Sequence, residues 1–420
     1  MNILVIGSGG REHALFLKLK ESPLTDSIYA LPGNPGMGEQ IDISATDNEA
    51  ILKFAKEKEI GLVVVGPEIP LTNGLVDELE SAGIRAFGPR ANAAELEGSK
   101  AFAKDLMKKY GIPTARYEVF TEAEPARAYI RKEGAPIVVK ADGLAAGKGV
   151  IVAMSEQEAL DAIDAIMEDN TFGKAGTRVV IEEFMEGEEA SLLAFTDGKI
   201  IRPMISAQDH KRALDGDKGP NTGGMGTYAP APVMTPEMTE RATEEILKPT
   251  IAAMAKEGRV YRGCLYLGLM ITKDGPKVVE FNARFGDPET QVVLPLLDGD
   301  LVQIMCACSD GTLADVPIHW KSGAAVCVVL AAGGYPASYE KGHEIRGIRA
   351  AEDTGALVFH AGTAEQNGKI ITNGGRVLGV VGMGEDIASA VKKTYAAVEK
   401  ISFKDAYYRK DIAHRALRNR

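Results

Sequence analysis

Residues Ile137–Val152 read I-V-V-K-A-D-G-L-A-A-G-K-G-V-I-V. Two β-branched runs, Ile137–Val139 and Val150–Val152, flank a loop holding Gly143, Gly147 and Gly149. That is the pattern of strand, glycine-rich loop, strand. Lys140 closes the first strand and Lys148 sits inside the loop. Glycines let the backbone approach a ligand closely, and successive N–H groups in such a turn cradle an anion. The two lysines add charge that phosphates pair with. The Walker loop is a different pattern, with four residues between its glycines, Gly-Lys followed by Ser or Thr, and then a helix. Here Gly149 follows Lys148 and a strand comes next. The competing reading is a tight hairpin with a solvated lysine.

The chain around this loop has 420 residues, which predicts several domains. Hydrophobic content of 45% and charged content of 25% are those of an ordinary globular protein. The net charge of −11 argues against a general nucleic-acid binder. The sequence contains no apolar run long enough for a membrane span. The N-terminus, from Met1 to Ile6, lacks a basic segment and a cleavage site, so a cytoplasmic protein is expected. Cys264, Cys306, Cys308 and Cys327 sit in apolar surroundings and read as free thiols, since no second pair or nearby His completes a metal site.

Residues 2–6 read as a strand, Gly7–Gly10 as a loop and Arg11–Lys20 as a helix, opening a βαβ unit. The loop lacks the third glycine of a dinucleotide fingerprint, because Glu12 stands there, and no acidic ribose ligand ends the strand Ile28–Leu31. A glycine loop at a helix N-terminus still suits a phosphate, although a bare strand-to-helix turn reads the same way. Further strands are expected at Leu62–Val65 and Arg85–Phe87. Gly66-Pro67-Glu68 follows one of them, on the edge where open α/β sheets bind ligands.

Ser99 is a candidate N-cap for a helix running to Tyr110. A small α/β module follows, with a strand near Arg116–Phe120, a helix from about Pro125, the glycine loop and a helix over Glu156–Glu168. Val179–Ile181 then leads into Glu182-Glu183-Phe184-Met185 and further acids. Phe184 and Met185 suit a flat base, and the carboxylates suit amino and hydroxyl groups. Residues 205–226 contain five glycines, three aspartates and no sustained period. A structureless loop longer than ~12–15 residues is uncommon and often functional. Asp209, His210, Lys211, Arg212 and Asn221 offer charge there for a zwitterion or a phosphate.

A helix is expected around Glu237–Glu257 and strands over Gly263–Thr272 and Lys277–Arg284. Strand alternation places Glu280, Asn282 and Arg284 on one face and Val279, Phe281 and Ala283 on the other. One carboxylate and one amide suit Mg²⁺, which takes one or two protein oxygens together with substrate phosphates. Arg284 is expected to pair bidentately with a substrate carboxylate or phosphate. From Ala324 short strands alternate with turns, at Ala325–Leu330, Ala356–His360, Lys369–Thr372 and Arg376–Val381, ahead of a helix over Ile387–Ile401. Gly333-Gly334 and Gly374-Gly375 read as hairpin turns.

Together these residues resemble the ATP-grasp ligases, and within them the glycinamide ribonucleotide synthetase family, along essentially the whole chain. The resemblance is carried by Gly9–Ala14, Val139–Val150, Asp209–Arg212, Gly223–Gly226 and Glu280–Thr290. It implies a multidomain α/β and α+β protein. Residues 1–100 would form a doubly wound parallel-sheet domain. Residues 101–323 would form the ATP-grasp domain, with a lid subdomain at about 119–189, and 324–420 an α+β domain. The implied reaction joins glycine to 5-phospho-β-D-ribosylamine with ATP split to ADP and phosphate. The nucleotide residues alone leave another ATP-grasp carboxylate–amine ligase open, and a non-catalytic nucleotide-binding module remains a third reading.

By that resemblance Lys100 and Lys140 touch the ATP phosphates, under a loop containing Gly143, Gly147, Lys148 and Gly149. Glu182 lies near the adenine amino group, the backbone of Glu183, Phe184 and Met185 reads the base, and Glu189 binds ribose. Glu280 and Asn282 hold Mg²⁺ or Mn²⁺. Arg284 and Asp209 are the expected catalytic groups. Lys211, Asn221, Thr222, Gly223 and Asp287 are expected at glycine and the ribosyl phosphate, with Gly9, Gly10 and Arg11 at the 5′-phosphate. Many ATP-grasp enzymes carry a further acid about thirteen residues before the Glu-x-Asn glutamate. Here Tyr266-Leu267-Gly268-Leu269 has none, which leaves a second metal's ligand open. The expected partners are ATP, glycine and phosphoribosylamine, with no nucleic acid, no membrane and a monomeric chain.

Overall fold

A computed structural model describes residues 1–145, 149–169 and 173–418. Gly147 and Lys148 of the glycine loop lie outside the described residues. The first strand, Asn2–Gly7, sends Ile3 and Val5 into one core cluster and Leu4 and Ile6 into another. Burial on both faces is what a parallel strand between two helical layers requires. Ser27–Pro32, Asn2–Gly7, Ile60–Val65 and Ala86–Phe87 lie side by side in that order, all parallel. Helices Gly10–Lys20 and Asn48–Glu57 connect them, giving a doubly wound sheet.

The glycine-loop module is an antiparallel sheet ordered Tyr117–Phe120, Val179–Glu183, Ile137–Ala141, Val150–Ala153. Alternation sends Ile137, Val139 and Ala141 into a small separate core with Ala126, Ile130 and Ile163. The opposite face carries Val138, Lys140 and Glu182 into a cleft. Below the cleft lies a second antiparallel sheet, ordered Ile201–Pro203, Glu188–Thr196, Gly263–Thr272, Gly275–Asn282.

The expected alternation over Lys277–Arg284 is interrupted. Gly268 pairs with Glu280 while Leu269 pairs with Val278, so Val279 is an inserted bulge residue. Val278 and Phe281 enter the core, whereas Val279 lines the cleft beside Glu280 and Asn282. The strand ends at Asn282, before Arg284.

Residues 205–226 are not structureless. Gln208–Asp209 and Gly226–Ala229 pair with each other, and the latter pairs with Ala324–Ala331. Between them Arg212–Leu214 and Lys218–Asn221 form a hairpin. Strands of two to four residues are too short to show a period. They extend a sheet that continues through Ala324–Ala331, Arg376–Gly384 and Leu357–His360.

Neither Gly-Gly pair turns a hairpin. Gly374 and Gly375 carry the chain from Lys369–Thr372 to Arg376–Gly384, which lie in different sheets. A Cβ on Gly375 would stand 2.2 Å from the Tyr335 ring, so close packing demands the glycine. Ala324–Ala331, just before Gly333, pairs with Gly226–Ala229 and Arg376–Gly384 and not with the strand that follows. The hairpin between Thr363–Gln366 and Lys369–Thr372 turns instead at Asn367-Gly368, with φ of 52° and 73°, the two positive values of a type I′ turn.

Two helices expected to be continuous carry wide turns with i→i+5 hydrogen bonding. These lie at Asp164–Glu168 after Glu156–Ile163, and at Thr243–Leu247 between Pro236–Ala242 and Lys248–Lys256. In the second, Pro249 has no N–H for the carbonyl four residues earlier. The four cysteines are free, and no described helix is long and apolar enough to cross a membrane.

Candidate active site

A cleft of about 950 Å³ opens between the glycine-loop sheet, the sheet below it and the edges of the N- and C-terminal parts. The helix Lys100–Tyr110 lines one wall with Lys100, Ala103, Lys104 and Met107, the i, i+3, i+4, i+7 stripe of one helical face. Ser99 caps this helix, accepting from the Phe102 N–H at 3.1 Å. Asp142 ties the loop to the same helix end, accepting from the Ala101 N–H at 2.7 Å and from the Ser99 hydroxyl at 3.1 Å. Lys100 Nζ donates to the Gly143 carbonyl at 2.9 Å. The glycine loop is thus fastened at its root to a helix N-terminus. A Cβ on Gly143 would stand 2.8 Å from Ala175, and one on Gly149 2.6 Å from Ala145.

Lys140 Nζ donates to the Val279 carbonyl at 2.9 Å and lies 2.8 Å from Glu182 Oε1. The second Glu182 oxygen is 2.9 Å from Lys104 Nζ. Both oxygens of the buried Glu182 carboxylate therefore face a lysine ammonium. The Glu183 carboxylate turns to Arg116, at 2.6 Å. Phe184, Met185 and Glu189 line the cleft beyond it.

Glu280 and Asn282 project beside Lys100, Lys140 and Lys211. Burial works against ionisation of Glu280, but Lys211, Lys140, Lys100 and Arg284 hold its carboxyl below the usual range. Lys211 Nζ stands 3.1 Å from Glu189 and 3.9 Å from Glu280. Glu189 first, then Glu280, raise the Lys211 ammonium well above its ordinary pKa against the cost of burial. The donor set of one ionised carboxylate and one amide among three lysines fits a divalent cation that shares its remaining sites with phosphates and water.

Two expectations change. Arg284 lines the cleft but is also held by protein carboxylates. Its guanidinium lies 2.9 Å from Glu97 and 3.4 Å from Glu68, two carboxylates of the N-terminal part. Gly9 and Gly10 do not line the cleft. The Glu12 carboxylate folds back over the helix N-terminus, accepting from the Gly9 N–H at 2.7 Å and from Arg11 Nε at 2.5 Å. The anion site expected there is filled by the chain's own side chain, and Arg11 alone of the three lines the cleft.

Asp209 also lines the cleft, and its buried Oδ1 has no hydrogen-bond partner. Burial first, then Glu289, pushes its carboxyl well above the usual range. Asn221, Thr222, Gly223 and Asp287 line the same end. Gly224 has φ of +109°, and a Cβ there would meet Pro288 at 2.5 Å.

Family models described as the phosphoribosylglycinamide synthetase N domain, ATP-grasp (A) domain and C domain match residues 1–97, 98–290 and 325–415. The chain belongs to the phosphoribosylglycinamide synthetase family. It is 54% identical over 423 residues to the phosphoribosylamine–glycine ligase of Haemophilus influenzae, covering 99% of each chain. It is 53% identical to that of Agrobacterium fabrum, again over 99% of each. The crystal structure of the Thermotoga maritima phosphoribosylamine–glycine ligase superposes with a TM-score of 0.86 at 38% identity, over 98% of this chain and 100% of that one. The biotin carboxylase domain of Hydrogenobacter thermophilus 2-oxoglutarate carboxylase shares the fold, with a TM-score of 0.71 at 17% identity, covering 97% of this chain and 91% of that one.

Within this member of the family, several cleft residues have no role read from sequence. Arg376 arrives from the C-terminal sheet, donating to the Asp287 carbonyl at 3.1 Å and to the Gly223 carbonyl. Arg415 lies near the C-terminus, paired with Asp217 at 2.7 Å. Glu289 sits beside Tyr266, whose hydroxyl donates to it at 2.9 Å. The neighbourhood that lacks an acid in sequence therefore has one in space. The one sequence signal for it is Glu289's place in the segment Asp287-Pro288-Glu289-Thr290, directly after Glu280-x-Asn282.

Proposed function

We propose that this chain is an ATP-dependent carbon–nitrogen ligase that joins glycine to 5-phospho-β-D-ribosylamine. The products are glycinamide ribonucleotide, ADP and phosphate, a step of purine biosynthesis. The end-to-end family match carries the reading, and the cleft supports it by joining a phosphate-binding set to a metal-binding pair.

In the first half-reaction a glycine carboxylate oxygen attacks the γ-phosphorus of ATP. The bond from that phosphorus to the β,γ-bridging oxygen breaks, ADP leaves and glycyl phosphate forms. In the second, the sugar amine nitrogen attacks the glycyl carbonyl carbon. The carbon–oxygen bond to phosphate breaks, phosphate leaves and the nitrogen gives up a proton. Lys100 and Lys140 bind the phosphates and neutralise charge that spreads in the transition state. Glu182 lies near the adenine amino group, the Phe184–Met185 backbone takes the base edge, and Glu189 takes ribose. Glu280 and Asn282 hold Mg²⁺ or Mn²⁺, which when bound screens the phosphate oxygens. Asp209, whose Oδ1 has no protein partner among the described residues and which lines the cleft, is placed to accept the proton released by the amine. Lys211, Asn221, Thr222, Gly223 and Asp287 orient glycine and the sugar. Arg376, paired with Asp287 at 3.3 Å, and Arg11, paired with Glu12, line the cleft where they can take the 5′-phosphate. Holding the reactants together accounts for ~7–11 kcal/mol of barrier in well-aligned systems.

The substrates are small molecules. One chain supplies every wall of the cleft, so a monomer suffices, and the acidic net charge of −11 supports neither nucleic-acid binding nor attachment to acidic lipid. A cytoplasmic enzyme is the matching location. The test is ADP release with Mg-ATP, glycine and freshly generated phosphoribosylamine, omitting one at a time. ADP that requires both glycine and the amine supports the assignment. ADP formed with a different acid and amine pair, and not with these, overturns it.

A further inference from the structure

Lys104 is a buried lysine that the reaction above does not use. It lies on the cleft wall one helical turn after Lys100, with its side chain 3% exposed. Its ammonium lies 5.8 Å from the centroid of the Tyr117 ring and makes two polar contacts. It lies 2.9 Å from Glu182 Oε2, and it donates to Thr114 Oγ1 at 2.8 Å. Thr114 in turn donates to the Val278 carbonyl at 2.7 Å. On the other side, Glu182 Oε1 lies 2.8 Å from Lys140, and Lys140 donates to the Val279 carbonyl at 2.9 Å.

These contacts close a ring: Lys104, Thr114, Val278, Val279, Lys140, Glu182 and back to Lys104. The ring spans three elements, the helix Lys100–Tyr110, the glycine-loop sheet and the strand Gly275–Asn282. It meets that strand at the Val279 bulge, immediately before Glu280. Val279 is skipped by the ladder, and the ring supplies donors to the Val278 and Val279 carbonyls.

Charge arithmetic gives the ring a purpose beyond packing. Within the ring two lysines share one carboxylate, so the ring carries one positive charge, with Lys100 and the Glu280 carboxylate beside it. Buried unpaired charge is costly, and an incoming polyphosphate removes that cost. Without Lys104, Glu182 and Lys140 form a neutral pair, and Lys140 has no surplus charge to offer.

We propose that Lys104 is a positioning residue that keeps Glu182 from neutralising Lys140 and so reserves Lys140 for the phosphates of the nucleotide. This rests on the reading of Lys140 as a phosphate ligand. It makes Lys104 act through Glu182 and Lys140, without touching substrate.

The experiment is a binding cycle on the full chain, with ADP and adenosine as probes, on the wild type and the variants Lys104→Met, Lys140→Met and Lys104→Met/Glu182→Gln. Methionine keeps most of the buried volume, and glutamine keeps the acceptor for the base while removing the charge. Lys104→Met is expected to weaken ADP about tenfold while adenosine is unchanged, and the double variant is expected to recover most of the loss, since contacting charges couple strongly. In turnover the same variant raises the KM for ATP, and Glu182→Gln reverses the rise. Equal losses for ADP and adenosine, or a double variant no better than the single one, overturn the proposal and leave Lys104 a structural residue. A Lys140→Met chain that binds ADP like the wild type overturns the reading of Lys140 instead, and the proposal with it.

Discussion

The Lys211 ammonium lies 3.9 Å from the Glu280 carboxylate and 3.1 Å from Glu189, a cation held between the proposed metal ligand and the proposed ribose ligand. Lys211 lies just before the hairpin formed by Arg212–Leu214 and Lys218–Asn221, and Glu280 sits next to the strand bulge. Two segments far apart in the chain therefore share one charge balance. Lys211 helps to hold the Glu280 carboxyl below its usual range.

Glu280→Ala removes the only carboxylate of the metal pair. The expected loss in kcat is about 10²–10³-fold, of the size seen when one electrostatic stabiliser is deleted. Steady-state ADP release against Mg²⁺ concentration measures it. A rate within about tenfold of the wild type, equivalent to ~1.4 kcal/mol, contradicts the metal assignment.

Arg376→Ala tests the 5′-phosphate site. The KM for phosphoribosylamine should rise about tenfold or more, as expected for loss of a charge-assisted contact. The KM values for ATP and glycine should stay within about twofold, since only uniform binding of one substrate is removed. A rise in all three points to a collapsed cleft.

Glu97→Ala strips Arg284 of its nearer partner and removes the acceptor of the Ala283 N–H at 2.6 Å. Breaking a buried pair from one side costs about 3 kcal/mol or more. A lowered unfolding midpoint in urea measures it. Removing an exposed pair such as Arg349 with Asp353 should leave the midpoint where it is.

Stability should fall in acid through a histidine contact that joins the two ends of the chain. His13 Nδ1 accepts from the His360 N–H at 2.8 Å, an acceptor lost on protonation. Burial, with His360 nearby, lowers His13 from 6.5 to about 3, and burial lowers His360 to about 4. The unfolded chain binds these protons first. The stabilisation is complete above pH ~6.5 and is lost as pH falls toward 4 and then 3. Each tenfold difference in proton affinity between the folded and unfolded chain contributes at most about 1.4 kcal/mol. His13→Gln retains an acceptor and does not titrate. Urea midpoints measured from pH 7 to 4 should fall less steeply for that variant.

The parts of the site legible in sequence are those set by local pattern. Lys140 beside its glycines, Ser99 as a cap and Glu280 two residues from Asn282 follow from strand alternation and capping chemistry. Groups brought in from elsewhere were not legible. Arg376 enters through the packing of the C-terminal sheet, and Lys104 meets Glu182 only because the helix Lys100–Tyr110 and the glycine-loop sheet line the same cleft. The Val279 bulge cannot be read from a strand that otherwise alternates. Glu12 is different, because a capping glutamate three residues after Gly9 was visible in the chain, and it fills the turn that the glycines alone suggest for phosphate. Arg284 shows the limit of side-chain chemistry as a guide. A guanidinium suits a substrate carboxylate, and here two protein carboxylates reach it first.

The most direct test of the central claim follows oxygen. Glycine labelled with ¹⁸O in both carboxylate positions is turned over with Mg-ATP and phosphoribosylamine, and the phosphate released is analysed by mass. An acyl phosphate intermediate transfers one glycine oxygen to phosphate in each turnover. Singly labelled phosphate, formed in equal amount to glycinamide ribonucleotide, is the predicted result. Unlabelled phosphate alongside the same product would contradict the account.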